Sequence, residues 1–567
     1  MKFSQYKYER SSYEDIKDKF IKLVDKINKS TNYEDQKNYI LQLNEIRNDI
    51  QSNSTIASIR YSIDTSDEYY EEEKKYWDEY MPLYEDLNCE FYKAIVNSQF
   101  KNEIINDFSK QFYNICEDSI KSFSKEIIED LQEENKLCSQ YTKLLASAKI
   151  EYKGETHNLS SLMKYMMDKD IETRIESTKL YYSYFEENED KFDSLFDKLV
   201  SVRDKMAKKL GYKSFTELGY IRMNRSDYNE ENIKKLREEV QDYIVPLCNK
   251  LYERQAKRIG IDDFWFAHES IEFKNGNATI KGGEEYEKYI IENGKKMYSE
   301  LSKETAEFFE YMTQNELMDL VTRKSKAAGG YCTHIPNYNS PFIFSNFNNT
   351  SEDIDVLTHE AGHAFQLYMS KDIPMYEINF PTLDSCEIHS MSMEFITYPW
   401  MELFFKEDTL KYKFYHMSSA IKFIPYGVIV DEFQHRIYEN PTMSKDERKQ
   451  IFRELEKKYL PHRDYRDIDI LEKGGYWFKQ GHIFKNPFYY IDYVLAQVCA
   501  FQFLQKSNEN FEQAWQDYIN ICKVGGTKSF LEIVNIGNLN SPFEDKTIKN
   551  IGENINNLLV NIKDSEL

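Results

Sequence analysis

The sequence is short of the residues that break helices. Its 567 residues include 19 glycines and 12 prolines, and only Pro82 and Pro246 fall before residue 330. Long helices with few turns are therefore expected in the N-terminal half. Cys89, Cys116, Cys138, Cys248, Cys332, Cys386, Cys499 and Cys522 are scattered, with no CxxC pair. That argues against a disulfide framework or a cysteine zinc site and fits a reducing compartment. There is no apolar run of about 18 residues. The N-terminus, MKFSQYKYERSSYEDIKDKF, has no apolar signal segment. A cytoplasmic protein with no membrane segment is expected. Positive charge is also deficient: 74 Lys and Arg against 97 Asp and Glu leave a net charge of −23. Nucleic acid is thus not an expected partner, because phosphate binding needs a basic surface.

What is present favours helix, with plentiful Lys, Glu and Leu. The 44 tyrosines and 36 phenylalanines can line a wet cavity or fill a core. Phe192, Leu195, Phe196, Leu199, Val202, Met206 and Leu210 recur at helical spacing, and Gly211 follows as a C-terminal cap. Histidine is uneven: eight of the ten follow residue 330, so metal or proton chemistry is expected there.

Residues 327–349, AAGGYCTHIPNYNSPFIFSNFNN, combine turn signals at Gly329-Gly330 and Asn339-Ser340-Pro341 with β-branched and aromatic runs. They predict a small β-hairpin. In peptidases an edge strand beside a metal can hold an extended substrate through its main chain. The hairpin leads into TSEDIDVLTHEAGHAFQLYMS, a predicted helix with Thr350 or Ser351 as N-cap. Within it, His359-Glu360-Ala361-Gly362-His363 is an HExxH motif. Its histidines, one turn apart on one face, can grip one zinc ion, while Glu360 can take a proton from a metal-bound water. The motif is expected by chance only about 0.01–0.02 times in this composition.

Two histidines and a water leave one protein ligand to be found. Glu387 lies 28 residues after His359 in LDSCEIHSMSMEF, and Glu394 follows seven residues later on nearly the same helical face. The pair suits a metal ligand, Glu387, and a carboxylate, Glu394, that orients a ligating imidazole through its other nitrogen. The alternative for either is a solvated surface glutamate.

HEAGHAFQ, GGYCTHIPNYNSPFIFSNFN, the ExxSxxxE pattern of Glu387–Glu394 and VDEFQHRIYENP at 430–441 together resemble the oligoendopeptidase F family. That family is related to thimet oligopeptidase and neurolysin. The resemblance covers most of the chain, most strongly from about residue 200 to 540. It implies one Zn²⁺ ion held by His359, His363 and Glu387. Gln366 departs from relatives that often carry a further histidine there, which removes a competing ligand. GHIFKNPFYYIDY at 481–493 resembles the family segment whose histidine and following tyrosines line the cleft. It implies His482, Tyr490 and Tyr493, with Tyr489 as an adjacent alternative. A neutral phenol there could donate to the oxyanion. His435 and His334 are further, weaker candidates, whereas His157, His268, His416 and His462 read as structural.

Composition and resemblance together predict a mostly α, large helical two-lobed peptidase. It should have a deep central channel and a small sheet beside the HExxH helix. Residues 1–190 would form an N-terminal helical domain covering the channel, and 191–567 the catalytic domain. The expected activity is that of a zinc metalloendopeptidase acting on short peptides. The rival expectations are a carboxypeptidase or dipeptidyl carboxypeptidase on a related helical fold, and a peptide-binding protein without turnover.

Overall fold

The computed structural model describes residues 1–327 and 329–567 and is built mostly of helices. Helices α1 (Tyr13–Lys29), α2 (Tyr33–Ile63), α3 (Glu68–Val96), α4 (Lys101–Phe108) and α5 (Lys110–Ser122) open the chain. Helix α1 shows why they form. Ile16, Phe20, Val24 and Ile27 recur at three- and four-residue spacing, and all four are buried. The shortage of proline has the expected result, since α2 runs for 31 residues and α3 for 29. Pro82 lies inside α3, and Pro246 stands in the first turn of Val245–Ile259, where a missing N–H costs nothing. The predicted helix around Phe192–Leu210 is observed as Glu189–Lys209, with Gly211 just beyond it at φ +87°.

Two apolar cores result. The smaller is made by α1–α5, with Met375 and Ile378 packed into it, while the larger gathers the later elements together with Ile56 and Ile59 of α2. Arg47 of α2 links the two regions. It is buried, it bonds Asn88 Oδ1 and the Tyr376 hydroxyl at 3.0 Å each, and it pairs with Glu377.

A two-stranded hairpin, β1 (Ile150–Tyr152) and β2 (Glu155–His157), lies away from the motifs in sequence. The hairpin expected before the HExxH helix is present as β4 (Tyr331–Ile335) and β5 (Ser340–Phe347), with Tyr331 opposite Phe344 and Ile335 opposite Ser340. Ala328, at the start of that segment, lies outside the described residues. A third strand, β3 (Met318–Val321), pairs parallel to β5, giving the order β3-β5-β4. Strand β5 is therefore central and almost wholly buried, and β4 is an edge.

The helices that carry the site follow: α6 (Phe215–Arg222), α7 (Glu352–Ser370), α8 (Leu383–Ile396), α9 (Thr409–Glu439) and α10 (Tyr490–Glu509). Helix α7 is not capped by Thr350 or Ser351 as expected. Ser351 has helical dihedrals and its side chain caps nothing. Instead Asn349, at φ +66°, turns the chain so that the N–H groups of Asn348 and Asn349 donate to the Asp353 carboxylate at 3.0 and 2.8 Å. Among the described residues, no helix is long and apolar enough to cross a membrane.

Candidate metal centre

Helices α7 and α8 pack so closely that only glycine fits at the HExxH centre. A Cβ on Gly362 would stand 2.7 Å from His389 O and from Ser390 Cα. That approach brings the next turn of α7 onto Glu387 of α8. His359 Nε2 lies 3.2 Å and His363 Nε2 3.4 Å from the same oxygen, Glu387 Oε2. The three residues form a group able to hold a metal ion. Donors about 2.0–2.1 Å from a tetrahedral ion stand roughly 3.3–3.4 Å apart, so the observed separations suit one small ion between them.

The surroundings prepare each donor. His359 Nδ1 is 2.7 Å from Glu394 Oε1, which leaves Nε2 to present its lone pair. Burial disfavours a charged imidazole, yet Glu387 and Glu394 outweigh it and hold the His359 pKa well above the usual value. Burial likewise opposes ionisation of Glu387, but His363 and His359 hold its carboxyl well below the usual range. Ser390 Oγ donates to Glu387 Oε2 at 2.9 Å, and the Tyr489 hydroxyl donates to Oε1 at 2.5 Å. Glu360 is different: burial raises its pKa, and its Oε2 is buried without a hydrogen-bond partner in the protein. It is a carboxylate aimed at no residue, next to the converging donors.

The second candidate segment supplies a partly exposed wall. His482, Tyr489, Tyr490 and Tyr493 are half-buried, whereas Ile483, Phe484, Phe488, Ile491 and Val494 between them are buried. The Tyr493 ring centroid lies 5.0 Å from that of Tyr489 and 5.6 Å from that of His482. Tyr490 packs on His482 at 4.9 Å and on Phe423 and Tyr426. Of the three tyrosines it is Tyr489, named from sequence only as the neighbour, that reaches Glu387. Burial pushes all three phenols up, so they stay protonated donors. Burial holds His482 down at about 4. Gln480 Nε2 donates to its Nδ1 at 2.8 Å, which leaves Nε2–H as a donor.

His416, read from sequence as structural, stands behind the site. Its Nε2 is 2.7 Å from Glu394 Oε2 and its Nδ1 2.7 Å from the Tyr398 hydroxyl. Tyr398, His416, Glu394 and His359 thus form one chain of hydrogen bonds. No local pattern marks His416, because it lies on α9 and meets Glu394 only through tertiary packing. His334, on β4, lines a cavity of about 190 Å³ with Gln51, Cys332 and Phe380, and the Phe380 ring is 5.6 Å from that of His363. His435 is not part of this centre. It groups with Glu230 and Glu439, and its Nε2 is 3.1 Å from the Tyr220 hydroxyl.

Two family descriptions match the chain: the peptidase M3 N-terminal domain over residues 3–123 and peptidase family M3 over residues 292–553. A solved structure of PZ peptidase A with an inhibitor is 50% identical, covers 99% of this chain and 100% of its own, and superposes with a TM-score of 0.96. The chain belongs to peptidase family M3. A Bacillus anthracis str. Ames protein, provisionally named oligoendopeptidase F, is 48% identical over 100% of this chain and 99% of its own, with a TM-score of 0.92. An oligoendopeptidase F homolog of Borreliella burgdorferi is 23% identical over 457 residues, 76% of this chain and 74% of that protein. This M3 peptidase therefore has the mostly α fold expected from its sequence, and its HExxH helix lies in the matched region.

Proposed function

We propose that this M3 peptidase is a zinc-dependent oligoendopeptidase that hydrolyses internal bonds of short peptides. The observation that carries the reading is the convergence of His359 Nε2, His363 Nε2 and Glu387 Oε2 beside the unpartnered Glu360 carboxylate. Two imidazoles and one carboxylate form the donor set of a catalytic zinc site with an open position. One Zn²⁺ ion there supplies Lewis acidity, which makes water more acidic and polarises the scissile carbonyl.

The other roles belong to the chain. Glu360 takes the proton of the attacking water and passes it to the leaving amine. Its raised pKa suits a group that must both accept and return a proton. Tyr493 donates to the oxyanion as the carbonyl becomes tetrahedral. Tyr490 and His482 line the same wall, and the Nε2–H of His482 is a further donor. Glu394 holds the His359 ring in place. The outer edge of β4 offers main-chain groups to an extended peptide. Residues 1–190 cover a channel leading to this point, and 191–567 carry the chemistry. A cytoplasmic location accords with eight unpaired cysteines.

The test is an end-blocked, internally quenched peptide incubated with the purified protein, with and without chelator. We expect internal cleavage that chelator abolishes and zinc restores. Chelator-insensitive turnover, or no turnover with full metal content, would sink the reading. A protein that spares the end-blocked peptide but trims its counterpart with a free C-terminus would instead be a carboxypeptidase.

A further inference from the structure

The segment VDEFQHRIYENP has no part in the centre described above, yet it packs directly behind the tyrosine wall. Tyr489 is preceded by Phe488, whose φ is +67°. A bulky residue in the left-handed region is strained and persists only when its surroundings impose it. Here both main-chain groups of Phe488 are held. Its N–H donates to Gln434 Oε1 of α9 at 2.9 Å, and its C=O accepts from Arg225 Nη2 at 2.5 Å. The same Nη2 donates to Asp492 Oδ1 at 2.6 Å, in a pair whose side chains are 0% and 1% exposed. Asp492 lies between Tyr490 and Tyr493 in the first turn of α10. Its own N–H donates to Tyr489 O at 2.9 Å.

The Phe488 ring is gripped as well. It lies 5.1 Å from the ring of His435 and 5.6 Å from that of Tyr220. On α6, a Cβ on Gly219 would stand 2.5 Å from Phe488 Cδ2. Polar anchors therefore fix the turn, and a glycine-floored aromatic box fixes its side chain.

We propose that Gln434, Arg225 and Asp492 are positioning residues that lock the Phe488 turn and so set Tyr489 on Glu387 and Tyr493 beside it. This rests on the reading of Glu387 as a metal ligand and Tyr493 as a donor. It gives Gln434 and His435 of α9 an influence on a centre they do not touch. With the turn relaxed, the phenols lose their aim while the metal donors on α7 and α8 stay in place.

The test is a double-variant cycle. Gln434→Leu removes the acceptor, and Gly219→Ala pushes on the ring without altering any polar group. Should one fail to fold, the other carries the test. Each is expected to lower kcat about tenfold, because small misplacements of aimed groups are costly. KM should stay within about twofold and bound metal should be unchanged. Tyr489→Phe combined with Tyr493→Phe should lower kcat too, and adding Gln434→Leu or Gly219→Ala to that pair should lower it no further. Multiplying effects, or wild-type kcat in a folded and metal-loaded variant, would overturn the proposal. Release of metal to a chelator is a readout independent of turnover. It should be faster in Tyr489→Phe and no faster still when Gln434→Leu or Gly219→Ala is added to Tyr489→Phe alone, and multiplied release rates would likewise overturn the proposal. Wild-type protein without chelator-sensitive turnover would instead defeat the zinc-peptidase reading and leave the release cycle to decide this one.

Discussion

His359 Nδ1 lies 2.7 Å from Glu394 Oε1, while the opposite oxygen of that carboxylate is 2.7 Å from His416 Nε2. One glutamate therefore fixes the orientation of a metal-facing imidazole and is itself fixed by a second histidine. Removing such a partner typically costs 10–100-fold in metal affinity. Glu394→Gln should weaken zinc binding by about that range, and His416→Phe by less, because His359 keeps its carboxylate. Competition with a chromogenic chelator measures both. Wild-type affinity in Glu394→Gln would remove Glu394 from its role.

Glu360 lies among the donors but bonds none of them. Glu360→Gln keeps the shape and removes the base. We expect full zinc content with kcat reduced about 10²–10⁴-fold. Peptide turnover near wild type, measured beside metal analysis on the same sample, would show that another group takes the proton.

Gly362 is the point where α7 touches the backbone of α8. Backbone atoms cannot swing aside, so Gly362→Ala must part the helices. A stability loss of about 1–3 kcal/mol is expected from the overpacking, with weaker metal binding because the histidines and Glu387 sit on opposite sides of that contact. Thermal unfolding with and without zinc checks both. An unchanged midpoint and unchanged affinity would contradict the close approach.

Burial depresses His268, His334, His435 and His482 to about 4. Free imidazoles titrate near 6.5. Asp353, Asp355, Glu456 and Asp492, which burial raises to about 6, 6, 7 and 8, act the other way, but at these four imidazoles the unfolded chain binds protons that the folded chain does not, so their contribution to stability falls as pH drops from about 6.5 towards 4. The stabilisation is fully present above about 6.5. The imidazole resonances of these four residues, followed by NMR, should show neutral rings through this window, and titration near 6.5 would contradict their neutral burial.

The parts of the site read directly from sequence share one property: they are spaced within single helices. His359 and His363 need only a 3.6-residue period, and Glu394 follows Glu387 by seven. The long N-terminal helices were equally legible, because proline scarcity and apolar spacing act locally. What escaped notice depends on other elements. His416 meets Glu394 across two helices. Strand β3, only four residues long, is defined by pairing with β5. Tyr489 was ranked below its neighbours because its direction is set by Phe488 in a conformation usually left to glycine or asparagine. The cap of α7 moved to Asp353 because Asn349 turned the chain in a way that no capping pattern signals.

The Tyr489 hydroxyl donates to Glu387 Oε1, while Oε2 is the oxygen that faces the two imidazoles. In the proposed centre that phenol competes with the metal for Oε1 and so favours a Glu387 that binds by one tooth instead of two. A bidentate glutamate would raise the coordination number and favour larger, oxygen-seeking ions such as Mn²⁺. One phenol thus biases the centre towards small four-coordinate ions, and its loss should broaden the range of metals that this peptidase accepts.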